Sequence, residues 1–194
     1  MITLKQIKHL REQSGAGIAD VKKALEESNG DEEKAIELLR KRGGDKAVKK
    51  SDRIAKEGTI GSYIHGNRKL AAMVVVMCET DFVARNEEFI DFANDIAMHI
   101  TASDVLCLKP EDVPSDIIDR EKKIWTEQLK NEGKSEDMIE KILIGKENKF
   151  RNDNALLTQA FVKNPDVKIS DLLNEVIVKL GEKIEIDSFS KFSL

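Results

Sequence analysis

Few residues of this sequence stand in a pattern that indicates catalysis. The three histidines are His9, His65 and His99. The first and last fall in helical segments, where a partly packed histidine without a chemical task is common. The sequence has no GxSxG, HExxH, P-loop or GxGxxG motif, and SGAG at 14–17 is typical of a turn between helices. We therefore expect a protein that is not an enzyme and needs no cofactor.

The two cysteines, Cys78 and Cys107, are far apart in sequence and form no CxxC pair. This usage favours reduced, buried thiols in a cytosolic protein. A disulfide or a metal site built on them is the alternative.

The segment TDFVARNEEF, which begins at Thr80, puts an acid and a large aromatic ring directly after the apolar run LAAMVVVMC. In one interpretation, Thr80 or Asp81 caps a helix while Phe82 enters the core. In the other, Asn86 and the two glutamates after it begin the helix, and residues 80–85 are a connecting loop that offers Phe82 to a partner. We favour the second, so binding is better supported than catalysis.

Charge and composition bear on the possible partners. A formal net charge of −4 and a pI near 5.6 argue against a nucleic-acid-binding protein. The basic cluster KAVKKSDR at 46–53 contains no aromatic residue to stack on a base. We interpret it as a solvated linker and expect no direct nucleic-acid contact.

The chain lacks the usual signals for export or membrane insertion. MITLKQIKHL has neither the apolar stretch of a signal peptide nor an Arg-rich transit composition. No apolar run reaches the ~18 residues of a membrane span. We therefore expect a cytoplasmic protein with no membrane partner.

Hydrophobic periodicity divides the chain into three parts. Three short helical segments with apolar faces predict a three-helix domain at 1–45, with one small shared core and a helix end at Gly43-Gly44. Residues 46–57 are charged and poor in apolar side chains, which indicates a linker or an exposed helix. Residues 58–194 are predicted to form an α+β core.

This core is predicted to be a small antiparallel sheet packed with helices. A hairpin is expected around the turn HGN, with a valine-rich second strand buried on both faces. In chain order, the predicted elements are strands at 59–65 and 70–78, helices at 86–100, 114–131 and 135–150, a strand at 156–162, a helix at 170–180 and a strand at 183–192.

Together these residues resemble the bacterial elongation factor Ts family over nearly the whole chain. The motifs that carry the resemblance are LREQSGAGIADVKKALEESNGDEEKAIELLRKRG, GSYIHG, CETDFVARNEEF, AMHITAS, KPEDVP and LLTQAFVKNPDVKISDLL. The resemblance implies that the N-terminal three-helix domain is ubiquitin-associated-like (UBA-like). It also implies a guanine-nucleotide exchange factor in translation elongation, whose partner is the GTPase elongation factor Tu.

The resemblance also implies which residues meet the partner. In the family, the TDFVA element enters the GTPase near its magnesium ion and loosens the nucleotide. Asp81 would supply polar contacts and Phe82 the wedge, with Thr80 and Val83 as the fixed ends. The histidine in GSYIHG matches one that the family brings toward the partner's phosphate-binding loop, so His65 is a second candidate. A turn residue with no such task is the alternative.

The N-terminal helices supply further candidate contacts. Arg11, Ile18, Ala19 and Val21 fall where family members contact the GTPase. The chain departs from the family at Ile18-Ala19, where members often have two methionines. Flexible methionines adapt to a partner surface more readily than Ile-Ala does.

The size of the core implies an assembly. Longer family members carry two related core halves and a coiled-coil insertion, whereas this chain has TDFVA and SYIHG on one core. It resembles the short form, which in the family can dimerise. We therefore expect a homodimer, with the last strand around 184–189 as an edge for pairing.

Two other hypotheses stay open. A UBA-type interaction scaffold would bind some other partner through the three-helix domain alone, without using Asp81 or Phe82. A hydrolase would use His65 with Asp81 on a small substrate, although no nucleophile at suitable spacing supports it.

Overall fold

The computed structural model describes residues 2–194, which form two compact units. One contains residues 2–101 and 170–194, and the other contains residues 102–169. The fold is α+β, as predicted, with a small antiparallel sheet in the first unit. The predicted domain boundaries after residues 45 and 57 stay predictions, and so does the UBA-like character of the N-terminal helices.

The described residues form helices and strands in mixed order. The helices are α1 Leu4–Ser14, α2 Ile18–Glu27, α3 Glu32–Val48, α4 Asp81–Ala84, α5 Glu87–Ala102, α6 Ser115–Asn131, α7 Glu136–Asn154 and α8 Ile169–Leu180. The strands are β1 Glu57–Ile64, β2 Leu70–Cys78, β3 Ala160–Phe161, β4 Asn164–Lys168 and β5 Ile184–Ser193. Within residues 2–194, no helix combines the length and the apolar character needed to cross a bilayer.

The first three helices pack around a core of their own, as predicted. α1 begins with a capping box, in which the Thr3 hydroxyl accepts a bond from the Gln6 N–H at 3.2 Å and the Thr3 N–H donates to Gln6 Oε1 at 3.0 Å. Asp31 caps α3 by accepting a bond from the Lys34 N–H at 3.1 Å. The buried side chains are Leu10, Ala16, Val21, Ala24, Leu25, Ala35 and Leu39.

α3 does not end at Gly43-Gly44, so that prediction is wrong. The helix runs on into the predicted linker. Gly43 is buried inside the helix on the side that faces α8, where a Cβ on it would lie at an ordinary contact distance of 3.4 Å from Cγ2 of Val178. The added turn also brings Lys46 Nζ within 2.7 Å of the Asp20 carboxylate on α2.

β1, β2 and β5 form an antiparallel sheet with β2 in the middle. The hairpin lies where the sequence predicts it, and its register pairs Gly61 with Val74. β5 follows α8 and pairs along the other side of β2, with an irregularity between Val75 and Val76. β2 therefore links the hairpin turn at one end of the sheet to α4 at the other.

Only one face of β2 is fully buried. The side chains of Ala72, Val74, Val76 and Cys78 are inaccessible, whereas the alternate residues are partly open and Met73 is 46% exposed. The prediction of a strand buried on both faces is therefore wrong. An antiparallel sheet commonly packs one face on the core and leaves the other toward solvent.

α5 packs directly on the sheet at Gly61. A Cβ on this residue would lie 2.3 Å from the Ala93 carbonyl, so only a glycine fits. Beside it, the Ser62 N–H donates to Asn94 Oδ1 at 3.2 Å. The buried apolar face of α5 includes Phe89, Phe92, Ala93, Ile96, Ala97 and Ile100.

In the second unit, α6 and α7 pack together. The Trp125 and Phe150 rings meet edge to face with centroids 5.8 Å apart. Glu147 pairs with Lys122 at 2.6 Å and with Arg151 at 2.9 Å, and hydrogen bonds from these two cations lower the pKa of its carboxyl. Both helices lie at the predicted positions.

The predicted strand at 156–162 is wrong over most of its length. Leu156–Thr158 is a 3-10 turn, and the Thr158 hydroxyl donates to the Asn152 carbonyl at 2.6 Å. Only Ala160–Phe161 is extended, as β3, and it pairs with β4. The sequence did not predict β4 because its first residues, Asn-Pro-Asp, are typical of turns.

Candidate functional site

A single helical turn, α4, follows the buried end of β2. Thr80 is its N-cap, and the Thr80 hydroxyl accepts a hydrogen bond from the Val83 N–H at 3.4 Å. The Arg85 N–H donates to the Asp81 carbonyl at 3.2 Å. The connecting loop predicted at 80–85 is therefore wrong, because the threonine cap closes a helical turn there.

Asn86 separates this turn from α5. Its side-chain oxygen accepts a bond from the Glu88 N–H at 2.9 Å, and its carbonyl accepts bonds from the N–H groups of Phe89 and Ile90. The helix start predicted at Asn86 is confirmed. The segment thus holds two helix starts, and each interpretation of the sequence was right about one of them.

Phe82 lies outside the core, with 83% of its surface exposed. Its neighbours Val83 and Ala84 are half-buried, and α4 packs on β1 and β2. The interpretation in which Phe82 enters the core is therefore wrong. A large apolar ring displayed on a fixed turn is typical of a protein-binding surface.

Asp81 places a carboxylate beside this ring. The carboxylate is half-exposed and pairs with Arg85 one turn later, with 3.3 Å between Oδ2 and Nη2. An exposed pair of this kind contributes little to stability, so the carboxylate can exchange it for donors on a partner. Asp81 and Phe82 therefore offer a charge and an apolar ring at consecutive positions.

Cys78 lies at the buried end of β2, just before the turn. Its thiol donates to the Thr80 carbonyl at 3.2 Å. Burial and the nearby Glu182 carboxylate raise the pKa of Cys78 to about 11, so it is a neutral structural group at neutral pH. Cys78 is free and buried, as predicted, whereas Cys107 is free and half-buried. In the part of the chain described, no cluster of three His, Cys, Asp or Glu residues suits a metal ion.

His65 lies in the exposed hairpin turn between β1 and β2. Its backbone N–H donates to the Leu70 carbonyl at 2.8 Å, and its own carbonyl accepts from the Arg68 N–H at 2.8 Å. The Tyr63 hydroxyl is 3.5 Å from His65 Nδ1. His65 is exposed, so its imidazole is accessible to a partner.

His65 and Asp81 lie at opposite ends of β2. The strand runs from Leu70 to Cys78, which separates its ends by about 27 Å at ~3.4 Å per residue. Groups this far apart cannot act on one bond. The hydrolase that would combine them is therefore contradicted.

The N-terminal candidates divide by exposure. Arg11 and Ala19 are exposed, and Ile18 is 57% exposed at the start of α2. Val21 is fully buried within the core of the three helices. The direct contact predicted for Val21 is therefore wrong, because its side chain supports the surface from beneath.

Two carboxylates that the sequence did not single out, Glu79 and Glu182, hold the Thr80 turn in place. Glu182 follows the end of α8 at Gly181, far from Thr80 in sequence. The only local signal was an acid placed between a helix end and a strand. Such a signal does not reveal which backbone groups the acid will meet.

Comparison with known proteins gives a consistent result along the whole chain. The family model described as Elongation factor TS matches residues 3–194. The Elongation factor Ts of Thermosipho melanesiensis is 50% identical over 194 residues, covering 100% of this chain and 99% of that protein. Those of Carboxydothermus hydrogenoformans and Citrifermentans bemidjiense are 49% and 51% identical, each over 100% of this chain and 89% of the relative. The chain belongs to the elongation factor Ts family.

Proposed function

We propose that this chain binds elongation factor Tu in its GDP form, perturbs the magnesium site with Asp81 and Phe82, and so promotes GDP release before GTP binds. Membership in the elongation factor Ts family supports the general role, which is nucleotide exchange in translation elongation. The specific role of Asp81 and Phe82 is supported by one observation, the exposure of Phe82 on a capped, packed turn.

The proposed mechanism is non-covalent. A bound magnesium ion is a large local charge that holds the nucleotide phosphates. Phe82 would act as a wedge beside that site, while the Asp81 carboxylate would take donors away from it. Thr80 and Val83 keep the turn in shape through their mutual hydrogen bond. A factor that prefers the nucleotide-free GTPase must weaken GDP binding by the same ratio.

Other exposed residues would extend the contact. His65 at the far end of β2 would meet a second part of the GTPase, near its phosphate-binding loop. Arg11, Ile18 and Ala19 would dock the N-terminal helices. This wide spacing lets docking hold the complex together while Asp81 and Phe82 act on the nucleotide site.

The proposal includes a homodimer that works in the cytoplasm, without direct contact to nucleic acid or membrane. β5 is an outer strand of the three-stranded sheet, so its free side can pair with a second copy around residues 184–189. Analytical ultracentrifugation at micromolar concentration tests this part. A monomer with full exchange activity would remove the dimer and leave the exchange function standing.

Stopped-flow release of a fluorescent GDP analogue from elongation factor Tu tests the proposed function. We expect the wild-type chain to accelerate release and both Asp81→Ala and Phe82→Ala to do so less. Ile144→Ala removes an exposed apolar side chain of α7 and is the matched control. If both variants match wild type, the proposed role of the turn fails. If residues 1–50 alone accounted for the binding function, the scaffold alternative would replace it.

A further inference from the structure

The turn that displays Phe82 is held by a carboxylate from the far end of the chain. Glu182 Oε2 accepts hydrogen bonds from the backbone N–H groups of Glu79 and Thr80, each at 3.0 Å. Glu182 Oε1 accepts a third from the Thr80 hydroxyl at 2.6 Å. Hydrogen bonds to an ionised acceptor are among the strong ones, so one side chain fixes two successive residues.

A second carboxylate makes the reverse connection. Glu79 Oε1 accepts a hydrogen bond from the Lys183 backbone N–H at 2.5 Å and another from Arg53 Nη1 at 3.1 Å. Glu79 and Glu182 thus each bind the backbone of the other's segment. This crossed pair ties the end of β2 to the start of β5 just outside the sheet ladder.

The bond from Glu182 sets the orientation of the threonine cap. Because the Thr80 hydroxyl donates its hydrogen to Glu182, its lone pairs remain available for the Val83 N–H. That second bond closes α4, on which Asp81 and Phe82 are consecutive residues. Phe82 is 83% exposed, so its direction depends on the backbone beneath it.

From this geometry we propose that Glu182 is a positioning residue for nucleotide exchange, acting on Asp81 and Phe82 through Thr80. The inference rests on the proposed function and deepens it. If the turn fluctuated, it would have to become ordered when the partner binds, and the free-energy cost of that ordering would weaken the contact made by Phe82. Glu182 supplies that order in advance, at a position that need not touch the partner.

Amide hydrogen exchange of the free chain tests the structural half without any GTPase. In Glu182→Gln, one acceptor oxygen becomes an amide donor, so we expect peptides covering residues 79–85 to exchange at least about threefold faster. Peptides from the middle of α5 should not change. Glu185→Gln is the matched control, because Glu185 is a nearby carboxylate that pairs with Lys183 Nζ at 2.9 Å. Unchanged exchange at 79–85 would overturn the inference.

GDP release at increasing concentrations of the factor tests the functional half. We expect Glu182→Gln to lower the maximal release rate about fivefold, with little change in the half-saturating concentration, because docking through the N-terminal helices remains. Thr80→Val should behave alike, whereas Thr80→Ser keeps the hydroxyl and should retain most of the rate. A loosened turn with a wild-type maximal rate would overturn the positioning role alone. A wild-type chain that failed to accelerate release would overturn the proposed function itself.

Discussion

The two ends of β2 carry turns that are held in different ways. The tip of the hairpin turn at His65 is closed locally, because the His65 N–H donates to the Leu70 carbonyl and the Arg68 N–H donates to the His65 carbonyl. The base of the same turn is also bound from a distance, by the Leu194 N–H to the Lys69 carbonyl at 3.0 Å. The turn at Thr80 is bound to Glu182, which is 102 residues away in sequence. Both turns expose a side chain suited to recognition, and both receive a bond from near the C-terminus, but only at Thr80 does a distant side chain bind the cap of the turn itself.

This difference shows how a sheet can support two kinds of contact. The tip of the hairpin, residues 65–68, is closed by local bonds, so His65 can adjust to a partner. The Thr80 turn is tied to two strands, and its exposed ring is therefore presented in one direction. We expect the Thr80 turn to contribute most to nucleotide release and His65 in the hairpin to contribute a smaller contact.

The largest expected difference concerns the thiol beneath the Thr80 turn. The pKa of Cys78 is raised to about 11, so at about pH 8 its thiolate fraction is ~100-fold below that of an ordinary cysteine. The Cys107→Ala variant keeps Cys78 as its single thiol. We expect this thiol to react with a thiol reagent at least about 100-fold more slowly in the folded chain than in the chain unfolded by strong denaturant. Equal rates would show that this end of β2 opens readily.

Truncation of Phe82 should give the next largest effect. Removal of an exposed aromatic anchor costs about 2 kcal/mol at a protein interface, which corresponds to roughly a 30-fold loss. We therefore expect Phe82→Ala to slow factor-stimulated GDP release about 30-fold. The melting temperature should not change, because the exposed ring is not packed in the core. A large fall in stability together with normal release would reverse this assignment.

His65 should matter less. Loss of one exposed hydrogen-bonding group costs about 0.5–1 kcal/mol, so His65→Ala should slow release by about threefold. The same stopped-flow assay measures it, and His9→Ala in α1 serves as the matched control. A loss larger than that of Phe82→Ala would contradict the division of labour between the two ends.

The smallest expected effect is on acid stability. Bonds from the Lys183 N–H and from Arg53 lower the pKa of Glu79 below its ordinary 4.5. The stabilisation is therefore complete above about pH 4.5 and is lost as the pH falls through the lowered pKa. Between pH 5 and pH 3, the melting temperature of Glu79→Gln should fall less than that of wild type, by about 2 °C. Parallel curves would mean that Glu79 adds no pH-dependent stability.

Much of this arrangement follows from local sequence. Alternation and turn residues predicted the hairpin, and apolar periodicity predicted the three N-terminal helices. Asn86 was recognised as a helix start because it precedes two glutamates and an apolar helical face. These features depend on neighbours within a few positions, which one sequence displays directly.

The remaining features depend on contacts across the fold. Gly43 resembles a helix end, but it lies inside α3, buried on the side that faces α8. Thr80 could cap a helix or begin a loop, and the bond to Glu182 decides in favour of the cap. The exposure of Phe82 and the burial of Val21 likewise depend on which elements pack beside them. Family resemblance supplied the partner, but not these orientations.

We propose that the Phe82 turn favours the nucleotide-free state of elongation factor Tu. The most direct test is to measure the affinity of the chain for the nucleotide-free and the GDP-bound GTPase by titration calorimetry. Linkage makes the ratio of these affinities equal to the factor by which the chain weakens GDP binding. We predict that wild type prefers the nucleotide-free form, and that Phe82→Ala reduces this preference by about tenfold or more while Ile144→Ala keeps it. A Phe82→Ala chain with the wild-type ratio would contradict the account.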